Sequence, residues 1–348
     1  MAIDRQRKAE LLQRPIEHID ITAHDTRALV DAYKEMSFSA RDLGRACEIF
    51  ERMLRDDDCT IILTVAGSTS AAGCMQLYVD LLRYNMVDVV VATGATIVDM
   101  DFFEALGFRH YRGSQFADDG QLRDLYIDRI YDTYIDEDEL QECDRTIQEI
   151  ADGLEPGPYS SRGFIGAMGR WLADNPARAR KRDSLVQLAH ELSVPVFCPA
   201  FSDSSAGFGL VAHQAGRPDG HLNLDSVRDL RELTEIKIHA GDTGLLMVGG
   251  GSPKNFAQDT VVCAELLGHD VPMHKYSLQI TVADTRDGAC SSSTLKEAMS
   301  WGKVDAAAEQ MVFAEATLVL PLLASYGYHN GSWKKRRRRE LAKLLDGA

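Results

Sequence analysis

Residues 59–96 read CTIILTVAGSTSAAGCMQLYVDLLRYNMVDVVVATGAT. CTIILTVAG (59–67) is a β-rich apolar run ending in glycine, and VDVVVATGAT (87–96) is a second one ending in small residues. Between them AAGCMQLYVDLLRYN (71–85) has helical spacing. Strands covered on both faces read as continuous apolar runs, because neither face meets water. Strand, small-residue turn, helix and strand in this order predict a βαβ unit of a parallel sheet. Outward from it, the sheet pattern resumes at VPVFCPAFSD (194–203), TGLLMVGGG (243–251), KYSLQITVAD (275–284) and MVFAEATLVLPLL (311–323). Residues 25–55 carry apolar residues at helical spacing. The polar, acidic middle (115–185), with the turn-rich DGLEPGPYSSRG at 152–163, reads as helices and excursions. The expected fold is α/β: a doubly wound, mostly parallel, Rossmann-like sheet with helices on both faces. Residues 1–55 form an α-helical N-terminal extension and 56–348 a single α/β domain. No repeat, and no linker rich in Pro, Gly or Ser, divides it.

The 348 residues are 45% hydrophobic and 26% charged, a globular composition long enough for a sizeable core. The 38 basic and 53 acidic residues leave a net charge of −15, the wrong sign for a nucleic-acid or anionic-membrane binder. Seven Cys at 47, 59, 74, 143, 198, 263 and 290 form no CxxC pair, so neither a disulfide framework nor a zinc ribbon is expected. The ten His show no metal spacing; His269 and His274, five apart around a proline, are not a helical pair, and no metal site is predicted. MAIDRQRKAELLQRP lacks the apolar core of a signal peptide, and no apolar run reaches membrane-spanning length. The expectation is a cytoplasmic protein.

Several patterns could carry chemistry. GSTSAAG (67–73) joins a strand to a helix with small residues; it suits a phosphate at a helix N-terminus or a tight turn with no ligand. ATGAT (92–96) with Asp99 and Asp101 suits ribose hydroxyls, or acids placed at a helix N-terminus. The three glycines of VGGGSPKN (248–255) imply that something presses on the backbone, a ligand or a packing contact. In TRDGACSSSTLKEAMSWGKV (285–304), Lys303 follows Trp301 and Gly302. A lysine in a low-dielectric pocket against an aromatic ring becomes a usable amine nucleophile; at an exposed helix end it is only a surface charge. The basic run Lys334–Arg339 reads as a site for an anionic partner or as a solvated or inter-subunit face of a terminal helix.

LLMVGGGSPKNF, LQITVADTRDG and above all EAMSWGK resemble the deoxyhypusine synthase family. NMVDVVVATGATIVDMD and SDSSAGFG (202–209) resemble further cofactor loops of that family, in the same order from about residue 45 to 325. GGGSPKNF is similar to the bacterial deoxyhypusine synthase-like branch. The resemblance implies NAD bound on the Rossmann-like sheet, and homotetramers with active sites at a dimer interface. It implies transfer of an aminobutyl group from spermidine through a lysine imine, with release of 1,3-diaminopropane. The acceptor is a protein lysine of the translation factor 5A precursor, or putrescine in homospermidine synthases. Lys303 then matches the imine-forming lysine, Trp301 the aromatic beside the polyamine, and Glu297 an acid for an ammonium group. Ser68, Thr69, Ser70, Ala71, Thr93, Gly94, Ala95, Asp99, Asp203, Gly250, Val282, Ala283, Asp287, Glu315 and Ala316 match cofactor-binding positions.

Four positions depart from the family pattern. Asn255 stands where the synthases carry a histidine, and it cannot titrate. Phe208 and Cys290 stand where two aspartates hold spermidine ammonium groups, and Asp259 replaces an asparagine. Two lost carboxylates change the site charge by about +2, and an ammonium left unpaired in a dry site is costly. These residues therefore point to small polyamine substrates and a homospermidine product. True deoxyhypusine synthesis on a protein lysine, and an NAD-binding regulator without activity, are the alternatives.

Overall fold

The computed structural model describes residues 4–180 and 183–346; residues 1–3 and 347–348, at the ends of the two expected regions, lie outside it. Six strands form the main sheet: β1 (Thr60–Val65), β2 (Val89–Ala92), β3 (Val196–Phe197), β4 (Thr243–Val248), β5 (Tyr276–Thr281) and β6 (Glu309–Phe313). Their order is β6-β5-β4-β1-β2-β3 and every pairing is parallel. Ile62 stands in register with Val89 on one side and Leu245 on the other. The chain runs outward from β1 to β3, returns to lay β4 on the other side of β1, and runs outward again. Such a reversal leaves a crevice at the carboxyl ends of the two central strands.

Seven helices matter for the site: α1 (Phe38–Arg55), α2 (Met75–Arg83), α3 (Ser205–Gly216), α4 (Ser226–Ala240), α5 (Gly251–Gln258), α6 (Leu295–Ser300) and α7 (Ala316–Asn330). Side chains of a strand alternate between faces, and both faces are covered. Ile61, Leu63 and Val65 join a core with Phe50 of α1, Leu81 of α2 and Leu323 of α7. Ile62, Val89, Leu245 and Met247 join a second core with Leu233 of α4, Ala257 of α5 and Leu295 of α6. Two-sided burial is the physical reason the β-runs are continuously apolar. The helical N-terminal region packs into the first core through Val30, Leu43 and Phe50, alongside the sheet.

Three stretches differ from the sequence expectation. The apolar run at 311–323 is strand only to Phe313; Glu315 then caps α7 by accepting the Leu318 N–H at 3.2 Å, and the rest is helical. The middle holds a small antiparallel sheet of strands Tyr111–Arg112, Thr133–Asp136 and Ile127–Ile130, whose two to four residues are too short to show alternation. The basic tail is not one helix: a short turn, Ser332–Lys335, leads into extended chain, and helix resumes only at Ala342–Asp346. No helix among the described residues is long and apolar enough to cross a membrane.

Three residues of the basic run, Arg336, Arg338 and Arg339, bond to the protein itself, while Lys334, Lys335 and Arg337 are exposed. Arg336 is buried, pairs with Asp88 at 2.5 Å, and donates to the carbonyls of Asn85 at 3.0 Å and Met53 at 3.2 Å. Asp88 also accepts the Ile61 N–H of β1 at 2.8 Å. Arg338 donates to the carbonyls of Leu82 and Arg83 at the end of α2, and Arg339 to that of Asp57. The tail therefore locks the amino-terminal edge of β1 and β2. Arg336→Met should destabilise the protein by about 3–5 kcal/mol, because it strands a buried carboxylate. Urea denaturation measures this, and a loss under about 1 kcal/mol would mean that Asp88 finds water or another partner.

Candidate active site

The crevice at the strand-order reversal is an open cleft of about 430 Å³. Five of the expected cofactor residues, Gly250, Val282, Ala283, Glu315 and Ala316, line it together with Ala66 and Gly67. Gly67 has φ of +97°, and a side chain there would project into open space. The triple-glycine run divides its work. Gly250 lies against Ser291, where a β-carbon would come within 2.4 Å of its α-carbon. Gly251 has φ of +59°, opens α5 and faces open space. A packing contact thus accounts for Gly250; at the N-terminus of α5 the Gly251 N–H donates to Ser291 Oγ at 3.1 Å, and Pro253 has no N–H to offer. Open glycines, a helix N-terminus and the reversal crevice fit a dinucleotide.

A second group gathers behind β2. Thr93 hydrogen-bonds back to Val65 O at 3.1 Å, and Gly94 packs against Ser204 beside the exposed Asp203. The Asp99 carboxylate accepts the Ser205 N–H at 2.8 Å at the start of α3. Burial, reinforced by the carboxylates of Asp144 and Asp203, pushes Asp99 up to about 6. Asp101 is closed off, capping the helix at Leu185–Glu191 through Ser184, Leu185 N and Val186 N. In the first turn Thr69 meets the Tyr78 hydroxyl at 2.6 Å, and Ser70 and Ala71 are buried beneath it, Ser70 against Met100. Ser68 and Ala95 are half-buried at their turns.

Lys303 lies at the other end of α5. Its Nζ is 2.6 Å from Asp259 Oδ1 and 5.3 Å from the centre of the Trp301 ring. Trp301 is 66% exposed, so the ring covers the amine on one side only. Between this pair and the glycine turn, Asn255 donates to Cys290 Sγ at 3.4 Å, bringing two of the departing positions into contact. Glu297 closes a capping box with Thr294 at the start of α6, and Asp287 accepts the Ala289 N–H at 3.1 Å in its own loop. Phe208 is 67% exposed on α3. α3 follows β3, which is four strand spacings, ~19 Å, from β5, so one chain does not bring Phe208 beside Lys303.

Buried polar groups that the sequence reading did not single out hold this wall together. Lys254, fully buried on α5, donates to Gln279 Oε1 at 3.0 Å, to Ser293 Oγ at 3.0 Å and to the carbonyl of Ser293. Gln279 in turn donates to the carbonyls of Gly249 and Ser291, both at 3.0 Å. No carboxylate pairs with Lys254 among these contacts, and burial pushes it down to about 8. The available signal was Gln279, the residue with the largest polar side chain in a strand buried along its whole length.

An open parallel sheet of this strand order, with a glycine-lined cleft at its reversal, is an α/β architecture of the doubly wound, dinucleotide-binding type. The model of the deoxyhypusine synthase family matches residues 28–327. A deoxyhypusine synthase-like protein of Coxiella burnetii is 69% identical over 338 residues, covering 97% of this chain and 96% of its own. One from Caulobacter vibrioides is 60% identical over 346 residues, with 99% and 94% covered. A solved structure from Entamoeba histolytica, assigned as a deoxyhypusine synthase, shares the fold at a TM-score of 0.58 and 19% identity, with 93% of this chain and 99% of that one covered. The chain belongs to the deoxyhypusine synthase family, whose members are NAD-dependent transferases.

The raised Asp99 makes a testable statement. A carboxyl group that binds its proton more tightly in the fold contributes stability fully at pH below about 4, and that contribution is lost as pH rises through about 6. Asp99→Asn should therefore gain about 3 kcal/mol relative to the parent between pH 4 and pH 8. Thermal unfolding of both proteins across that range measures it; parallel curves would show that Asp99 titrates as an ordinary carboxylate.

Proposed function

We propose that the chain is an NAD-dependent alkylamine transferase of polyamine metabolism that carries an aminobutyl group on Lys303 and yields homospermidine. The observation that carries this reading is the Lys303 amine, held at 2.6 Å by Asp259 beside Trp301, at the end of a helix whose N-terminus opens on the cleft. The chemistry that NAD would supply when bound is a reversible hydride acceptor for the carbon bearing the donor nitrogen. Gly67, Gly250, Gly251 and the residues around Glu315 would hold it. Lys303 adds its amine to the oxidised carbon, and the donor nitrogen departs as 1,3-diaminopropane, leaving an imine on the lysine. The acceptor amine then adds to the same carbon and Lys303 leaves as a free amine. Asp259 orients Nζ and is placed to exchange a proton with it. The net acidic charge of the chain draws polycations toward the cleft.

The Asn255–Cys290 contact, in place of a family histidine and aspartate, favours a small amine over a protein lysine as acceptor. Asp259 to Gly251 spans eight residues of helix, ~12 Å, more than a lysine side chain covers. That separation and the exposed Trp301, Phe208 and Val282 support an oligomer in which Lys303 of one copy serves the cleft of another.

Incubation with NAD, spermidine and putrescine, read by mass spectrometry of the amines and of the borohydride-treated protein, tests the reading. Homospermidine and a reduced adduct on Lys303 are expected. Lys303→Ala should keep NAD affinity and lose transfer, and Lys303→Arg should fail equally, since a guanidinium stays protonated. Undiminished transfer by either variant would overturn the mechanism.

A further inference from the structure

Lys303 stands in a loop, yet its amine meets Asp259 at 2.6 Å, and Asp259 belongs to a different segment of the chain. Both segments are held by one buried histidine. His274 lies two residues before β5. Its backbone N–H donates to Lys303 O at 2.9 Å, and its carbonyl accepts the Asp305 N–H at 3.0 Å. Its ring, fully buried, places Nε2 at 3.1 Å from Ala257 O, in the last turn of α5 two residues before Asp259. On the other side Nδ1 meets Thr243 Oγ1 at 2.8 Å, and Thr243 Oγ1 accepts from Lys237 Nζ at 2.9 Å.

One direction of protons satisfies the whole row. The ammonium of Lys237 donates to Thr243, the threonine hydroxyl donates to Nδ1, and Nε2–H donates to the Ala257 carbonyl. The ring in that row is neutral. Burial, with the Lys237 charge adding to it, pushes His274 down to about 3, so the arrangement persists at physiological pH. Both ring nitrogens and the threonine hydroxyl are used in this row, which favours one geometry for the junction.

We propose that His274 is a positioning residue of the active site: it fixes the main chain of Lys303 against the end of α5, so that the amine meets Asp259 beside Trp301. Its catalytic consequence rests on the reading of Lys303 as the alkyl carrier. The geometric claim does not.

The test is competitive labelling of the Lys303 amine with limiting formaldehyde and cyanoborohydride on the intact protein, read by peptide mass spectrometry against the exposed Lys296. In the wild type, Lys303 should label slowly. His274→Phe keeps a ring but no hydrogen bonds, and should raise Lys303 labelling to the level of Asp259→Asn. It should also lower kcat roughly tenfold to a hundredfold with the KM for NAD unchanged. His274→Gln, which retains a donor within reach of Ala257 O, should recover part of both. A simple loss of packing would lower the melting temperature without moving the Lys303 label. Unchanged labelling in folded His274→Phe overturns the proposal. If that variant does not fold, Thr243→Val, which removes the Nδ1 bond together with the Lys237 bond to the same hydroxyl, is read in the same way, and an unmoved label again overturns it. Labelling requires no turnover, so the two readings fail separately. A shifted label without a trapped adduct on the wild type leaves the positioning role standing and removes the alkyl-carrier role. A trapped adduct with an unshifted label does the reverse.

Discussion

Two adjacent parallel strands, β1 and β4, send their chains in opposite directions at their carboxyl ends. The connection from β1 crosses toward β2 and that from β4 toward β5, so no loop covers the space between them. Parallel pairing and right-handed crossovers make this parting unavoidable once a sheet is filled from its middle outward. The cleft, the open Gly67, the N-terminus of α5 and the exposed Val282 and Glu315 all take their places from it. α5 then runs back along the sheet and carries Asn255 and Asp259 away from the cleft toward Lys303. The separation of the cleft and the Lys303 amine is therefore built into the same topology that makes the cleft.

Around this arrangement several buried ionisable groups join segments distant in sequence. Arg336 and Asp88 tie the tail to the amino-terminal edge of β1 and β2. Lys254 and Gln279 join α5, the glycine turn and the loop around Ser291 and Ser293. Lys237, Thr243 and His274 join α4, β4, β5 and the Lys303 loop. A buried charge or imidazole is costly unless its hydrogen bonds are made, so each cluster tolerates few alternative geometries. Apolar packing alone would hold these segments together with less exactness, because it is non-directional. The site walls are thus set by directional contacts and the layers of the fold by burial.

Much of the fold could be read from the chain. The run from Cys59 to Thr96 already contained β1, α2 and β2, and the later apolar runs located β3 to β6, because strands covered on both faces leave a pattern no surface segment shares. The strands of the small antiparallel sheet escaped, since Tyr111–Arg112 is two residues long. The run at 311–323 was read too far as sheet; Glu315 is one residue, and only its hydrogen bonds show that a helix begins there. The Lys334–Arg339 run looked like a surface or partner site, and composition carries no sign that Arg336 is nine-tenths buried against Asp88.

What the sequence determined by itself was local in origin: which segments are strands and helices, where small residues let the backbone turn, and that Lys303 follows Trp301. Periodicity and propensity act over a few residues, so they survive in a linear string. Only the tertiary structure decided that Gly250 yields to Ser291 while Gly67 stays open, that Asn255 touches Cys290, and that Asp259, 44 positions before Lys303, is its partner. It also decided that Phe208 lies several strands away from both. Such pairings depend on strand order and on which buried donors find which acceptors, and those are properties of the folded whole that no window of sequence contains.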